Sequence, residues 1–311
     1  MRRAVIALLP LLATAPLHAE PGAAPFTVQE TGQGFANLDD AVQSIRMGTA
    51  TIVIAPGVYH QCTVQAGGNI TFKAAQPGTA IFDGGVCEGK AALVLRGRDA
   101  VVEGLVFQNM RVPDGNGAGI RLERGLLAVS NAIFRDSESG ILAGNDEGST
   151  IRIDRSTFAG LGRCDRDLDC AHSIYIGRYG SLSVASSRFE RGRGGHYVKS
   201  RAARIEVVDS SFDDTKGHTT NYMVDLSAGA TGTIARNIFV QGPDKENHSA
   251  FITVAPESRD NRSAGLVVSA NQASLAPGVG WSTIFVADWS HEPLKLGGNR
   301  LGSGITAFEL R

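Results

Sequence analysis

Between residues 107 and 239 of this 311-residue chain, phenylalanine returns at intervals of 27, 24, 31, 23 and 27. Each time it closes a short segment in which apolar and polar residues alternate. The copies run Leu127–Phe134, Ile151–Phe158, Leu182–Phe189, Ile205–Phe212 and Thr233–Phe239. A second series falls between them: Gly119-Ile120-Arg121-Leu122, Gly140-Ile141-Leu142-Ala143, Ser173-Ile174-Tyr175-Ile176, Tyr197-Val198-Lys199-Ser200, Met223-Val224-Asp225-Leu226 and Phe251-Ile252-Thr253-Val254. The period is two, which is that of strands and not of helices. A unit of roughly 25 residues cannot bury its own apolar face, and stacking like units into a solenoid removes that problem. Two places before the phenylalanine stand Ser156, Ser187, Ser210 and Asn237. Such side chains bond nearby backbone groups in turns, and stacked coil on coil they would form a ladder.

This order of strand, Ser/Asn turn, strand ending in Phe, then Gly-Ile-x-Leu strand resembles the right-handed parallel β-helix of the pectate-lyase-like superfamily. The likeness spans roughly residues 35–270. Ahead of the repeat, Asn37–Ile45 reads as an amphipathic helix with Leu38, Ala41, Val42 and Ile45 on one face and Asn37 as its N-cap. It leads into Thr51–Tyr59, which is similar to the first coil of that superfamily. The resemblance implies a helix that covers the open end of the solenoid, where a bare sheet edge would invite aggregation. Residues 282–287 and 294–296 would add final coils, about ten in all at roughly this repeat length. An antiparallel sandwich would need Gly/Asn hairpin turns between most strands, and the sequence lacks them.

The first nineteen residues have the form of a secretory signal: Arg2 and Arg3, an apolar stretch from Ala4 to Ala15, and Leu17-His18-Ala19 before the cut. Residues 20–311 would then be a single β-helix domain, exported to a periplasm or beyond. The full chain carries 30 Lys+Arg and 31 Asp+Glu. Loss of Arg2 and Arg3 leaves 28 against 31, a net charge of −3. That balance excludes a globally basic nucleic-acid binder. The 38 glycines follow no three-residue period, which excludes collagen. No later run reaches the ~18 apolar residues of a membrane helix, and a monomer is expected. Export permits disulfides. Four cysteines allow three pairings, of which the local one, Cys62 with Cys87 and Cys164 with Cys170, is favoured.

In the superfamily that the chain resembles, the substrate groove lies along the strand after the third turn, here the Gly-Ile-x-Leu series. Alternation along a strand puts Arg121, Leu142, Tyr175, Lys199, Asp225 and Thr253 in one outward row. Tyr175, Lys199 and Asp225 are then neighbours about 5 Å apart between coils. Two residues on, Glu123, Gly144, Gly177, Arg201 and Ser227 form a second row. His172 and His196 align just before the strand. Residues 188–204 hold six Lys/Arg, including Arg193, and one acid, Glu190. A basic groove concentrates anionic ligands, and an acidic polysaccharide suits a long groove. The plain alternative is a set of solvated turn arginines.

Lysis of a uronate polymer needs a group to neutralise the carboxylate, a base for the adjacent carbon's proton, and a donor for the leaving oxygen. Lys199 or Arg201 fits the first two roles, and Tyr175 or His196 the third, with His172 and His196 flanking this catalytic set. Arg121, Arg193, Tyr197 and Tyr222 are candidates for substrate binding. Hydrolysis would instead need two carboxyl groups set across the bond, one of them Asp225. A non-catalytic glycan-binding or envelope protein is the third possibility. Asp165, Asp167 and Asp169 alternate within the Cys164–Cys170 segment, where the phenylalanine spacing stretches to 31. They are candidates for a calcium site or for a wall beside the groove.

Overall fold

The computed structural model describes residues 24–165 and 167–311; the expected signal segment, residues 1–19, lies outside them. The chain forms a parallel β-helix of three long sheets with twelve, ten and ten strands. The first sheet carries Leu126–Ser130, Asp146–Asp154, Tyr179–Ala185 and their equivalents. The second carries the Phe strands, such as Thr157–Ala159 and Arg188–Glu190, and the third carries the Gly-Ile-x-Leu series. Right-handed coiling is the sense that strand twist imposes on parallel connections.

One face of each short strand points inward, so the core is built of columns. Phe82, Phe107, Phe134, Phe158, Phe189, Phe212 and Phe239 stack ring on ring, with centroids 4.6–5.6 Å apart. Ile120, Ile141, Ile174, Val198, Val224 and Ile252 form a second column, all fully buried. At the corner between the first and second sheets, each polar side chain accepts a hydrogen bond from the coil before it. Ser156 N donates to Ser187 Oγ at 3.2 Å, Ser187 N to Ser210 Oγ at 3.0 Å and Ser210 N to Asn237 Oδ1 at 2.9 Å. Asn237 and Asn271 continue the ladder at 3.0 Å per step. It satisfies backbone donors that the turn would otherwise bury without a partner.

The helix spans Leu38–Ile45 and buries Leu38, Ala41 and Val42. The cap departs from expectation. Asn37 makes no capping bond; it donates to Asp40, and Gln61 Oε1 accepts from Leu38 N at 2.8 Å. A hairpin of Phe26–Val28 and Gln33–Phe35 pairs antiparallel onto the first sheet, covering the edge strand Thr49–Ile54. At the other end, Thr283–Asp288, Lys295–Gly297, Arg300–Leu301 and Ile305–Leu310 extend the three sheets. Both local disulfides are present, with Cα atoms 5.4 Å apart for Cys62–Cys87 and 4.4 Å for Cys164–Cys170. No helix among the described residues is long and apolar enough to cross a membrane.

Candidate active site

The third sheet pairs its strands so that Arg121, Leu142, Tyr175, Lys199, Asp225 and Thr253 stand in one file, one residue per coil. Their neighbours on either side, such as Ile174 and Ile176, are buried, which fixes the file as outward. Arg121, Tyr175 and Lys199 line a cleft of about 520 Å³ together with Arg201 and His172. Asp169 and Cys170 form its wall. The disulfide-clasped loop is held there by Arg163, whose Nε donates to Asp165 Oδ1 at 2.5 Å and whose NH1 donates to Asp169 O at 3.0 Å. Arg121 Nε is buried and has no hydrogen-bond partner among the described residues.

Lys199 lies between two carboxylates. Asp225 Oδ2 is 3.5 Å from its Nζ, and Glu257 bonds it from the outer side. Glu257 also takes Arg201, so that one carboxylate is held by a lysine through one oxygen and by an arginine through the other. Burial acts to raise the Glu257 pKa, but the bonds from Lys199 and Arg201 outweigh it and hold the carboxyl below its ordinary value. Arg201 Nε donates to Tyr175 Oη at 3.1 Å, and its guanidinium carbon lies 5.9 Å from the Tyr175 ring centre.

Beneath this layer the histidines form a stack of their own. The rings of His172 and His196 are 4.9 Å apart, and His196 and Tyr222 are 5.3 Å apart. His172 Nδ1 accepts from His196 N at 2.9 Å, and His196 Nδ1 accepts from Tyr222 N at 3.2 Å. A nitrogen that accepts cannot carry the proton, so both neutral rings hold it on Nε2. His196 Nε2 stands 3.6 Å from Asp225 Oδ2. Burial, then the nearby positive charge of Lys199, drives the His196 pKa well below its ordinary value. Burial acts the same way on His172, helped by His196 and Lys199. Burial raises Asp225, against the pull of Lys199 and of the Ser227 and Thr253 hydroxyls that donate to it at 2.7 and 2.9 Å.

Several sequence expectations are corrected by these positions. Tyr197 faces the core, because the chain turns a corner before Val198 and the period of two does not run back through it. Its ring packs edge-on to Phe189 and Phe212, and its hydroxyl donates to buried Asp214 at 2.7 Å. Arg193 lies outside the cleft and pairs with Asp136 at 3.1 Å. Tyr222 also lies outside it, continuing the histidine stack. Asp225 is buried with both oxygens engaged, so it supports Lys199 and is not open to a sugar. His196 does line the cleft, with its Nε2 turned toward Asp225. The basic run over 188–204 divides among faces: Arg188 and Arg191 pair with Glu190, and only Lys199 and Arg201 reach the cleft. Asp165, Asp167 and Asp169 do not converge; among the described residues, no three His, Cys, Asp or Glu side chains are grouped to hold a metal ion.

Glu257 is the site residue that the repeat alignment misses. It belongs to the connection between Val254 and Val267, which holds twelve residues where Ser200 to Arg204 and Leu226 to Thr231 leave three and four. That excess length is the signal in the sequence. The connection runs back over earlier coils, and Asp260 reaches Arg178 at 3.3 Å.

No protein-family model and no curated protein matches the chain. Among solved structures the chain is similar to a PL6-family alginate lyase, AlyGC, at 15% identity and a TM-score of 0.42, over 88% of this chain. The match covers 38% of the length of that enzyme. At this distance the roles of side chains have to be argued from the chain's own residues.

Proposed function

We propose that the protein is an exported lyase that cleaves an acidic, uronate-containing polysaccharide by β-elimination in the cleft on the third sheet. The carrying observation is that Lys199 and Arg201, which line a cleft with Tyr175 and an arginine whose Nε has no partner among the described residues, jointly hold a carboxylate, that of Glu257. A uronate carboxylate has the same charge and the same two oxygens, and displacing Glu257 would seat it on the same pair. Neutralising that carboxylate stabilises the charge that develops when the adjacent carbon loses its proton.

Elimination then needs one group to carry that proton. The C–H bond breaks, the bond to the bridging oxygen breaks, a carbon–carbon double bond forms, and the proton ends on the leaving oxygen without consumption of water. Tyr175 Oη, next to the carboxylate-binding pair and held by Arg201, is the group we assign to that transfer. His172 offers an Nε2–H donor and Arg121 a further cation to orient the sugar. Ion pairs on both sides of Lys199 favour charge neutralisation over proton abstraction as its role. Hydrolysis is less well supported, because Asp225 is buried beneath Lys199. The two local disulfides suit an exported protein. Incubation of the purified protein with galacturonate, glucuronate and mannuronate/guluronate polymers, read at the ultraviolet absorbance of unsaturated ends, tests the proposal. One polymer should yield a rising signal. Reducing ends appearing without that absorbance would indicate a hydrolase, and binding without any new ends would indicate a lectin-like protein.

A further inference from the structure

On the other side of Arg201 lies a second concavity, of about 690 Å³, where the chain passes from the third sheet to the first. Arg178, Arg201, Arg204 and Arg262 line it, against two carboxylates, Glu147 and Asp260. Asp260 is already taken by Arg178. Arg204 forms no ion pair among the described residues, and Arg262 stands 3.9 Å from Glu292, at the limit of such a contact. The chain as a whole is slightly acidic, with 30 Lys+Arg against 31 Asp+Glu, so this excess of cations is local. Small residues, Gly180, Ala203 and Ala228, leave the bed between the arginines shallow. Arg201 lines both concavities.

We propose that this concavity is a second anion-binding subsite, which takes the carboxylate of a neighbouring sugar in the same polymer. The inference rests on the lyase reading of the adjacent cleft. A polyuronate carries charge on successive units, and one cation pair holds only one of them. Along the third-sheet file beyond Asp225, the outward residues are Thr253, Ala287 and Glu309, none of them a cation. Past Arg201, around the corner, the next cations are Arg204 and Arg262. In that direction the cationic path turns off the third sheet at Arg201, and the bound chain follows it across the coil edge.

Calorimetric titration of the full chain with a free uronic acid and with its tetramer tests this, in galacturonate, glucuronate and mannuronate series run in parallel. Arg204 and Arg262 are exposed, so the double variant Arg204→Ala/Arg262→Ala should fold as the parent does, which a matched thermal melt checks. The ratio of tetramer to monomer affinity should fall about tenfold in the double variant, and the loss should shrink with added salt. An unchanged ratio in a protein whose parent binds the tetramer removes the subsite and leaves the cleft assignment standing. A parent that binds no tetramer, or whose binding Lys199→Ala does not weaken, removes both.

Discussion

Arg155, Ser186, Asp209, Arg236 and Ala270 hold φ values of 44–58°, a region that side-chain-bearing residues avoid. Each stands one place before a ladder residue, and the recurring hydrogen bond there offsets the strain. The ladder was legible in the sequence, because Ser and Asn recur at a fixed offset from Phe. The left-handed turn was not, because its residues share no chemical type. Asn237→Ala would strip the Ser210 N–H of its acceptor inside the protein, and it also removes the Asn237 Nδ2 bond to Val207 O. A loss of at least about 1–3 kcal/mol is expected in chemical denaturation; no measurable loss would show that the ladder is dispensable. Tyr197 gives the opposite lesson. Its neighbours in sequence suggested an outward aromatic, yet it bonds Asp214, itself ion-paired with Lys245 at 3.1 Å in full burial. Tyr197→Phe should therefore lower stability by about 1–3 kcal/mol and leave the turnover of each folded molecule unchanged. A selective rise in KM would put Tyr197 back among the substrate contacts.

Among the elements, the inward columns followed from periodicity alone, since register between like strands leaves little choice once one face is apolar. Phe189→Ala, in the middle of the ring stack, should cost about 3–5 kcal/mol, and an urea midpoint equal to the parent's would contradict the column's role. Connections were less legible. The N-terminal hairpin has only three residues per strand, too few for a pattern, and the long connection after Val254 acts through Glu257 on residues 56 and 58 positions earlier. Repeat alignment orders strands but says nothing about where a loop lies down. The disulfides divide along the same line. Cys62–Cys87 closes a loop of 25 residues and Cys164–Cys170 one of six, so chain entropy gives about 3.5 and about 2.2 kcal/mol respectively. Replacing the second pair with serine should cost less stability yet loosen the wall formed by Asp169, which would read as a raised KM. A KM equal to the parent's would make the clasp merely structural.

For the whole molecule, a solenoid turns a one-dimensional repeat into a long face, and chemistry arises where neighbouring coils differ. Here the coils bearing Tyr175, Lys199 and Asp225 rest on a stack of neutral histidines. Both histidine pKa values are depressed in the fold, so the unfolded chain binds protons first as pH falls. The stability that they confer is full above about pH 6.5 and is lost progressively below it. Asp225 acts in the reverse sense, because its pKa is raised and the fold takes up its proton before the unfolded chain does. Glu88 and Glu123, held at about 2 by their bonds to Arg96 and Lys90, lose their ion pairs only in stronger acid. Between about pH 6.5 and pH 4.5, the melting temperature should fall, and His196→Gln should flatten that slope; an equally steep slope in the variant would show that other groups set it. The site itself stands on Lys199 and Arg201 as receivers of a uronate carboxylate. Its most direct test is the rate of unsaturated-product formation by Lys199→Ala on the polymer that the parent cleaves, with melting checked in parallel. A fall of about 10²–10³-fold in a protein that melts as the parent does is the expected result, and full activity in that variant would contradict the assignment.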